Sequence, residues 1–357
     1  PVRRCDPIRW LSQQEGTPKF FWAEKEGTGS VAAVGAADIM TGNKKINYQY
    51  LHKQISSNLS SKQPALRYYG GCVFDSNHVS EEWKEFGAYY FFIPRFELVT
   101  DRQNNFLACN IARREFIQDK ISQIVQQLLS LRFKSHENAE AIFQVQARED
   151  FPEKQLWCSQ IKGQLKLISD GVIKKIVLAR RTALNLKSII PPFVIMQRLR
   201  SLTPECFHFY LQVSPNKVFL GASPERLFRR EGKNLLTEAL AGTSPRGTTK
   251  KEDAALRETL LTSRKELLEH QLVIDGIVQV LRKICREVEI DRKNSLLKLE
   301  GGHHLLTKIS ATLGDEVNDA AILFHLHPTP AVGGAPRASL DEGVISLSRY
   351  RASLERR

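Results

Sequence analysis

"FHFYLQVSPNKVFLGASPERLFRREGKNLLTEALAG", residues 207–242, is the stretch whose reading decides the fold. "FHFYLQV", "KVFLGA", "ERLFRR" and "LLTEALAG" are short apolar runs separated by the tight-turn residues "SPNK" and "EGKN". Runs of this length joined by such turns read as four strands of an antiparallel meander. Upstream, "ALRYYGGCVF" (65–74), "AYYFFIPRFELV" (88–99) and "NNFLACNI" (104–111) read as further strands, rich in aromatic and β-branched residues. "REFIQDKISQIVQQLLSLRF" (114–133) has helical apolar spacing, as does "EKQLWCSQIKGQLKLISDG" (153–171), which Gly171 should end. Helical pattern returns from Glu252 to about Glu289, with a break near Ser263. Strands followed by helices, without a βαβ rhythm, predict an α+β protein with large, mostly antiparallel sheets and helices on the outside. The polar stretch "KSHENAEAIFQVQARED" (134–150) is the expected boundary, giving subdomains 1–148 and 149–357.

A chain of 357 residues can bury a large core, and its 25% charged residues are ordinary for a globular protein. No run of about 18 apolar residues occurs, so no membrane span is expected. No apolar leader stretch is visible after Pro1. Six cysteines lie scattered without a C-x-x-C pair, which argues against a disulfide framework or zinc cluster and fits a reducing compartment. The net charge of +13 suits an anionic metabolite. Nucleic acid is not expected as a partner, because the basic residues are spread along the chain without aromatic interleaving.

Several stretches carry chemistry. "IKKIVLAR" (173–180) places two adjacent lysines in a strand pattern, where neighbours point to opposite faces. Lys174 and Lys175 therefore occupy different environments; one can snorkel to water while the other is buried. In "GASPERLF" (221–228), Pro224 cannot donate to a ladder and marks an edge or bulge. Glu225 follows at a point where side chains are re-aimed, and on this local feature alone it reads first as a solvated turn glutamate. "EALAGTSPRG" (238–247) has small residues around Gly242, which would let a ligand approach the backbone, but most glycine-rich turns are only turns. In "SRKELLEHQLVIDGIVQVL" (263–281), Ser263 and Glu266 match a capping box, and Glu269 shares a helix face with Glu266. Such a pair reads equally as a cap beside a solvated face or as oxygen ligands for Mg²⁺. "HHLLTKISATL" (303–313) and "FHLHPTPAVGG" (324–334) add four histidines, none at zinc spacing, and His325 and His327 read as satisfied or loop residues.

"KKIVLAR", "FLGASPERLF", "EALAGTSPRG", "SRKELLEHQLV", "HHLLTKISATL" and "LHPTPAVGG", in this order over 174–334, resemble the chorismate-utilising enzymes. "ALAGT" and "HPTPAVGG", with "YYGGCVFD" and "EEWKEFGAYYFFIPRFEL" upstream, look like the isochorismate synthases of that family more than like anthranilate synthase. The resemblance implies that Lys175 activates water for attack at chorismate C2 and that Glu225 protonates the departing C4 hydroxyl. Members that add ammonia have a different residue at the lysine position. It also implies that Glu269, with Glu266 less securely, binds Mg²⁺, and that His304, Gly242 and Thr243 line the substrate pocket. A base lysine must be neutral, which burial favours. The expected product is isochorismate, for menaquinone, phylloquinone or siderophore synthesis, made by a monomer in the cytoplasm or, in a photosynthetic eukaryote, the plastid stroma. Salicylate synthase and a non-catalytic remnant are the alternatives. The family continues for roughly another hundred residues, a length consistent with one large catalytic domain. Here "GGAPRASLDEGVISLSRYRASLERR" (333–357) stops short, so a catalytic domain incomplete at its C-terminus and a chain inactive or nearly so are expected.

Overall fold

Pro224 ends one sheet's contribution to the 207–242 stretch, and the next hairpin belongs to a second sheet. The computed structural model describes residues 5–59, 63, 65–76, 79–101, 104–133, 143–291 and 295–336. It divides into two compact units, 1–142 with 190–224, and 143–189 with 225–357. The tail 337–357, on which the expected shortening falls, lies outside the described residues.

In chain order, the first unit contributes α1 (Pro7–Gln13), β1 (Lys19–Ala23), β2 (Gly29–Gly42), α2 (Tyr48–Asn58), β3 (Tyr69–Cys72), β4 (Tyr89–Asp101), β5 (Asn105–Cys109) and α3 (Gln118–Ser130). The second unit begins with β6 (Val145–Phe151), α4 (Lys154–Ser169), β7 (Lys175–Ile176) and β8 (Arg181–Leu186). The chain then returns to the first unit for α5 (Pro192–Leu202), β9 (Phe207–Ser214) and β10 (Lys217–Ser223). It completes the second with β11 (Arg229–Glu231), β12 (Asn234–Ser244), α6 (Lys250–Thr262), α7 (Arg264–Ile284), β13 (Cys285–Ile290), β14 (Ser295–Lys298), β15 (His303–Leu313), α8 (Asp319–Leu326) and β16 (Gly334–Ala335).

The first unit's antiparallel sheet has the order β10-β9-β1-β2-β4-β3, with β5 also on β4. Alternate residues of β1 and β2 feed two clusters. Phe21, Ala32 and Val34 pack with Trp10, Leu11, Ile124 and Met196 from helices, and Phe20, Val31 and Ala33 pack with Phe92 and Leu211. Both sheet faces are therefore covered, which is why these strands read as nearly continuous apolar runs.

The second unit's antiparallel sheet has the order β11-β12-β15-β13, with β14 on β15. Against it lies α7, whose buried residues His270, Val273, Ile274, Ile277, Val278 and Leu281 follow helical spacing. That stripe packs on Leu235, Ala239 and Ala241 of β12 and Ile309, Ala311 and Leu313 of β15.

Sequence expectation and structure differ in four places. The meander is two hairpins in two sheets, β9–β10 and β11–β12, because residues 224–228 carry no strand. The chain's return to β9, which pairs with β1, gives the first unit a second segment that a single cut after residue 148 omits. The 173–180 run forms only the two-residue β7, paired to β16, and Val177 beyond it is 41% exposed. Finally, α7 ends at Ile284; the "CREVEI" that follows alternates like a strand and pairs with β15 as β13.

Candidate active site

Lys174, a bend residue just before β7, is exposed, and Lys175, the first residue of β7, is 8% exposed. Lys175 Nζ donates to the Pro330 carbonyl at 2.9 Å and to the Ala331 carbonyl at 3.4 Å. Glu269 Oε1, from the first turns of α7, lies 3.6 Å away. Burial pushes the Lys175 ammonium below its ordinary range, while Glu269 and, after it, Glu225 pull the other way without restoring it. Glu225, half-buried behind Pro224, is thus close enough for its charge to act on this lysine.

The loop carrying Pro330 comes this close because of a glycine inside α7. A Cβ on Gly276 would stand 2.4 Å from Pro330 Cγ. Gly276, Pro330 and Ala331 escaped the sequence reading. The one local sign was a lone glycine interrupting a helical pattern.

Glu266, one turn before Glu269, reaches the second group of expected site residues. Ser263 caps α7 by accepting from the Glu266 N–H. The Glu266 carboxylate does not complete the box; its Oε2 accepts the Thr243 N–H at 2.9 Å and its Oε1 accepts from Lys265 Nζ at 2.9 Å. Burial raises this carboxyl, but the Lys265 and Thr243 donors outweigh it and hold it below the usual carboxylate range.

Gly242 makes that contact possible. It sits in the β12–β15 ladder where the register slips between Ala241 and Thr243, with φ +77°. Such a bulge turns the next N–H out of the ladder. A side chain there would also crowd Leu305 Cδ1 at 3.1 Å and the Glu266 carbonyl at 3.2 Å. Thr243 Oγ1 lies 3.0 Å from His304 Nδ1, its ladder partner on β15. Burial pushes the His304 imidazole below its ordinary range, His303 adds to this, and a bond with the Gly242 backbone opposes it.

The structure therefore brings together Lys175, Glu225 and Glu269, and separately Gly242, Thr243, Glu266 and His304, with one face of α7 joining the sets. His325 lies in the last turn of α8 and His327 at its C-cap. Among the described residues no three His, Cys, Asp or Glu side chains gather as a metal cage. Two carboxylates one turn apart nevertheless fit Mg²⁺, which keeps several waters and takes one or two protein carboxylates with substrate oxygens. Glu269, 36% exposed, is the more accessible of the two; Glu266 is 16% exposed and already accepts two donors.

Residues 1–342 match the family described as chorismate binding enzyme. Isochorismate synthase 2, chloroplastic, of Arabidopsis thaliana is 30% identical over 94% of this chain and 65% of its own length. The chloroplastic isochorismate synthase of Catharanthus roseus is 30% identical over 86% of the chain and 54% of its own length. The chain thus spans less than two thirds of these plant relatives. The solved structure of MenF, the menaquinone-specific isochorismate synthase of Escherichia coli, superposes with a TM-score of 0.84 at 27% identity, over 96% of this chain and 76% of that one. The chain belongs to the chorismate-binding enzyme family.

Proposed function

We propose that this protein is an isochorismate synthase acting on chorismate. The observation that carries the reading is the setting of Lys175. A neutral amine has two hydrogens and one lone pair; the carbonyls of Pro330 and Ala331 accept the hydrogens and leave the lone pair for a water proton. Burial favours that neutral form.

In the reaction, Lys175 takes a proton from water as the water oxygen bonds to C2. The ring double bonds shift, the C4–oxygen bond breaks, and protonated Glu225 delivers its proton so that the hydroxyl leaves as water. One water enters and one leaves, so the change is an isomerisation. A base and an acid acting on different atoms of one substrate suit it. His304, with the Gly242–Thr243 bulge, binds the substrate beside the ring carboxylate. Glu269, and Glu266 with its remaining acceptor capacity, would hold Mg²⁺. When bound, Mg²⁺ supplies positive charge for the substrate carboxylate and offsets the Glu269 charge beside Lys175.

We place the product in menaquinone, phylloquinone or siderophore synthesis and the protein, as a monomer, in the cytoplasm or plastid stroma. The menaquinone-specific E. coli neighbour supports the menaquinone reading, and the chloroplastic plant relatives support the plastid one. The test supplies chorismate and Mg²⁺ to the purified 357-residue chain and follows the product by chromatography. Isochorismate that disappears in Lys175→Ala supports the proposal. Fluorescent salicylate would assign the salicylate synthase reaction instead, and chorismate binding without turnover would assign a non-catalytic binding role.

A further inference from the structure

Five donors converge on the carboxylate of Asp253, in the first turn of α6: Arg246 Nε at 2.6 Å and Nη2 at 3.3 Å, the Gly247 N–H at 3.1 Å, His303 Nε2 at 2.9 Å and Lys298 Nζ at 3.3 Å. They come from three segments: the loop after β12, the end of β14 and the start of β15. Arg246 also donates from Nη1 to the Leu299 carbonyl at 2.8 Å, tying the same loop to the β14–β15 turn. Gly247 lies so close that a Cβ would meet the Asp253 nitrogen at 2.2 Å. The proposed chemistry makes no use of this cluster.

Its place in the ladder gives it a role. His303 is 2% exposed and pairs with Ser244; the next pair along is His304 with Thr243. Asp253 is therefore one residue pair from the proposed substrate wall and holds the start of β15 together with the loop that leaves β12. Arg246, first among its donors, holds its carboxyl far below the usual carboxylate range, so Asp253 is ionised and accepts only. His303 must then carry its proton on Nε2, which fixes that ring's tautomer and orientation. Glu266 restrains the Thr243 N–H from the other side.

We propose that Asp253 is a positioning residue that, through His303, Arg246 and Gly247, sets Thr243 and His304 for substrate binding. The claim rests on the functional reading above, and its test separates the two. Asp253→Asn keeps the shape and one acceptor oxygen but removes the charge. The first measurement is the imidazole nitrogen spectrum of the chain without substrate. His303 should be protonated on Nε2 in the wild type, and the His304 resonances should move in Asp253→Asn although residue 253 does not touch that ring. Unmoved His304 resonances would overturn the proposal whatever the enzyme's activity.

The second measurement is steady-state kinetics with chorismate. KM should rise about tenfold with kcat within about twofold, as for lost alignment of a binding wall. Asp253→Glu, which restores the charge, should recover part of the loss. A fall in kcat at unchanged KM would overturn the positioning role. If Asp253→Asn does not melt cooperatively, His303→Gln takes its place in both measurements under the same criteria. If the wild type shows no action on chorismate, the functional reading falls and the spectra alone decide whether Asp253 governs His304.

Discussion

Consider Gly276→Ala. The new methyl would lie 2.4 Å from Pro330 Cγ and 3.2 Å from Cδ. Carbon atoms pack at about 3.5–4.0 Å, so the two must separate by about 1 Å. A proline ring cannot rotate aside, and α7 is anchored by its buried stripe, so the 328–331 loop must yield. The Pro330 carbonyl now accepts from Lys175 at 2.9 Å. Retreat by about 1 Å takes it beyond hydrogen-bond range. Two stability effects oppose each other: alanine in place of glycine favours the helix by about 1 kcal/mol, and overpacking costs about 1–3 kcal/mol. The melting temperature should therefore move only modestly downward. Catalysis should not be spared, since about 1 Å of misplacement at a reacting group costs on the order of 10²-fold. The assay is kcat for isochorismate formation beside a thermal melt of the same preparation. A variant with kcat within about twofold of wild type would refute the argument that this loop sets the lysine.

Three further outcomes can be measured, two at the candidate site and one in the first unit. Lys175→Ala should lower kcat by about 10²–10⁴-fold, whereas Lys174→Ala, on the exposed face, should have little effect; equal losses in steady-state assays would contradict the face assignment. Glu225→Gln should stop turnover while sparing chorismate and Mg²⁺ binding in calorimetry, since an amide cannot deliver a carboxylic proton. Glu269→Ala should instead raise the Mg²⁺ concentration needed for activity, and rescue of the Glu225 variant by excess Mg²⁺ would reverse the two roles. In the first unit, burial and then Arg200 hold His208, 3% exposed, below its ordinary 6.5. The unfolded chain therefore binds the proton more readily; this contribution to stability is complete above about pH 6.5 and lost as pH falls through it. His270 and His304 shift in the same direction, so His208→Gln should flatten, without abolishing, the acid-side fall of melting temperature.

Local rules reached those features whose causes are local. Strand alternation is enough to predict different settings for Lys174 and Lys175, although only Lys175 lies in a strand, and the break at Ser263 needs only a capping side chain. Gly171, which follows α4 with φ +74°, needs only a left-handed residue after a helix. What was not legible depends on partners far along the chain. Lys175's carbonyl acceptors lie 155 and 156 residues away, in a loop whose composition announced only turns. The Glu266 carboxylate looked like half of a capping box because the Thr243 N–H that claims it becomes available only through the bulge at Gly242. Asp253 drew no notice, since a first-turn aspartate is ordinary until Arg246, Lys298 and His303 are seen around it. The 207–242 stretch is strand-forming throughout most of its length, yet nothing within it says that its two hairpins serve different sheets.

The pairing of β1 with β9 also orders events during synthesis. Lys19 meets Gln212 and Ala23 meets His208, so β1 waits for about 190 further residues, roughly ten to forty seconds at about 5–20 residues per second. Through that interval β2 can zip onto one edge of β1 while its other edge stays open, a row of unpaired amides and carbonyls beside Phe20 and Phe21. During the same wait the ribosome makes the lysine-bearing segment of the second unit, whose sheet strands β11–β15 are still untranslated. Neither unit can close before the other has begun, so the nascent chain carries two unfinished folds at once.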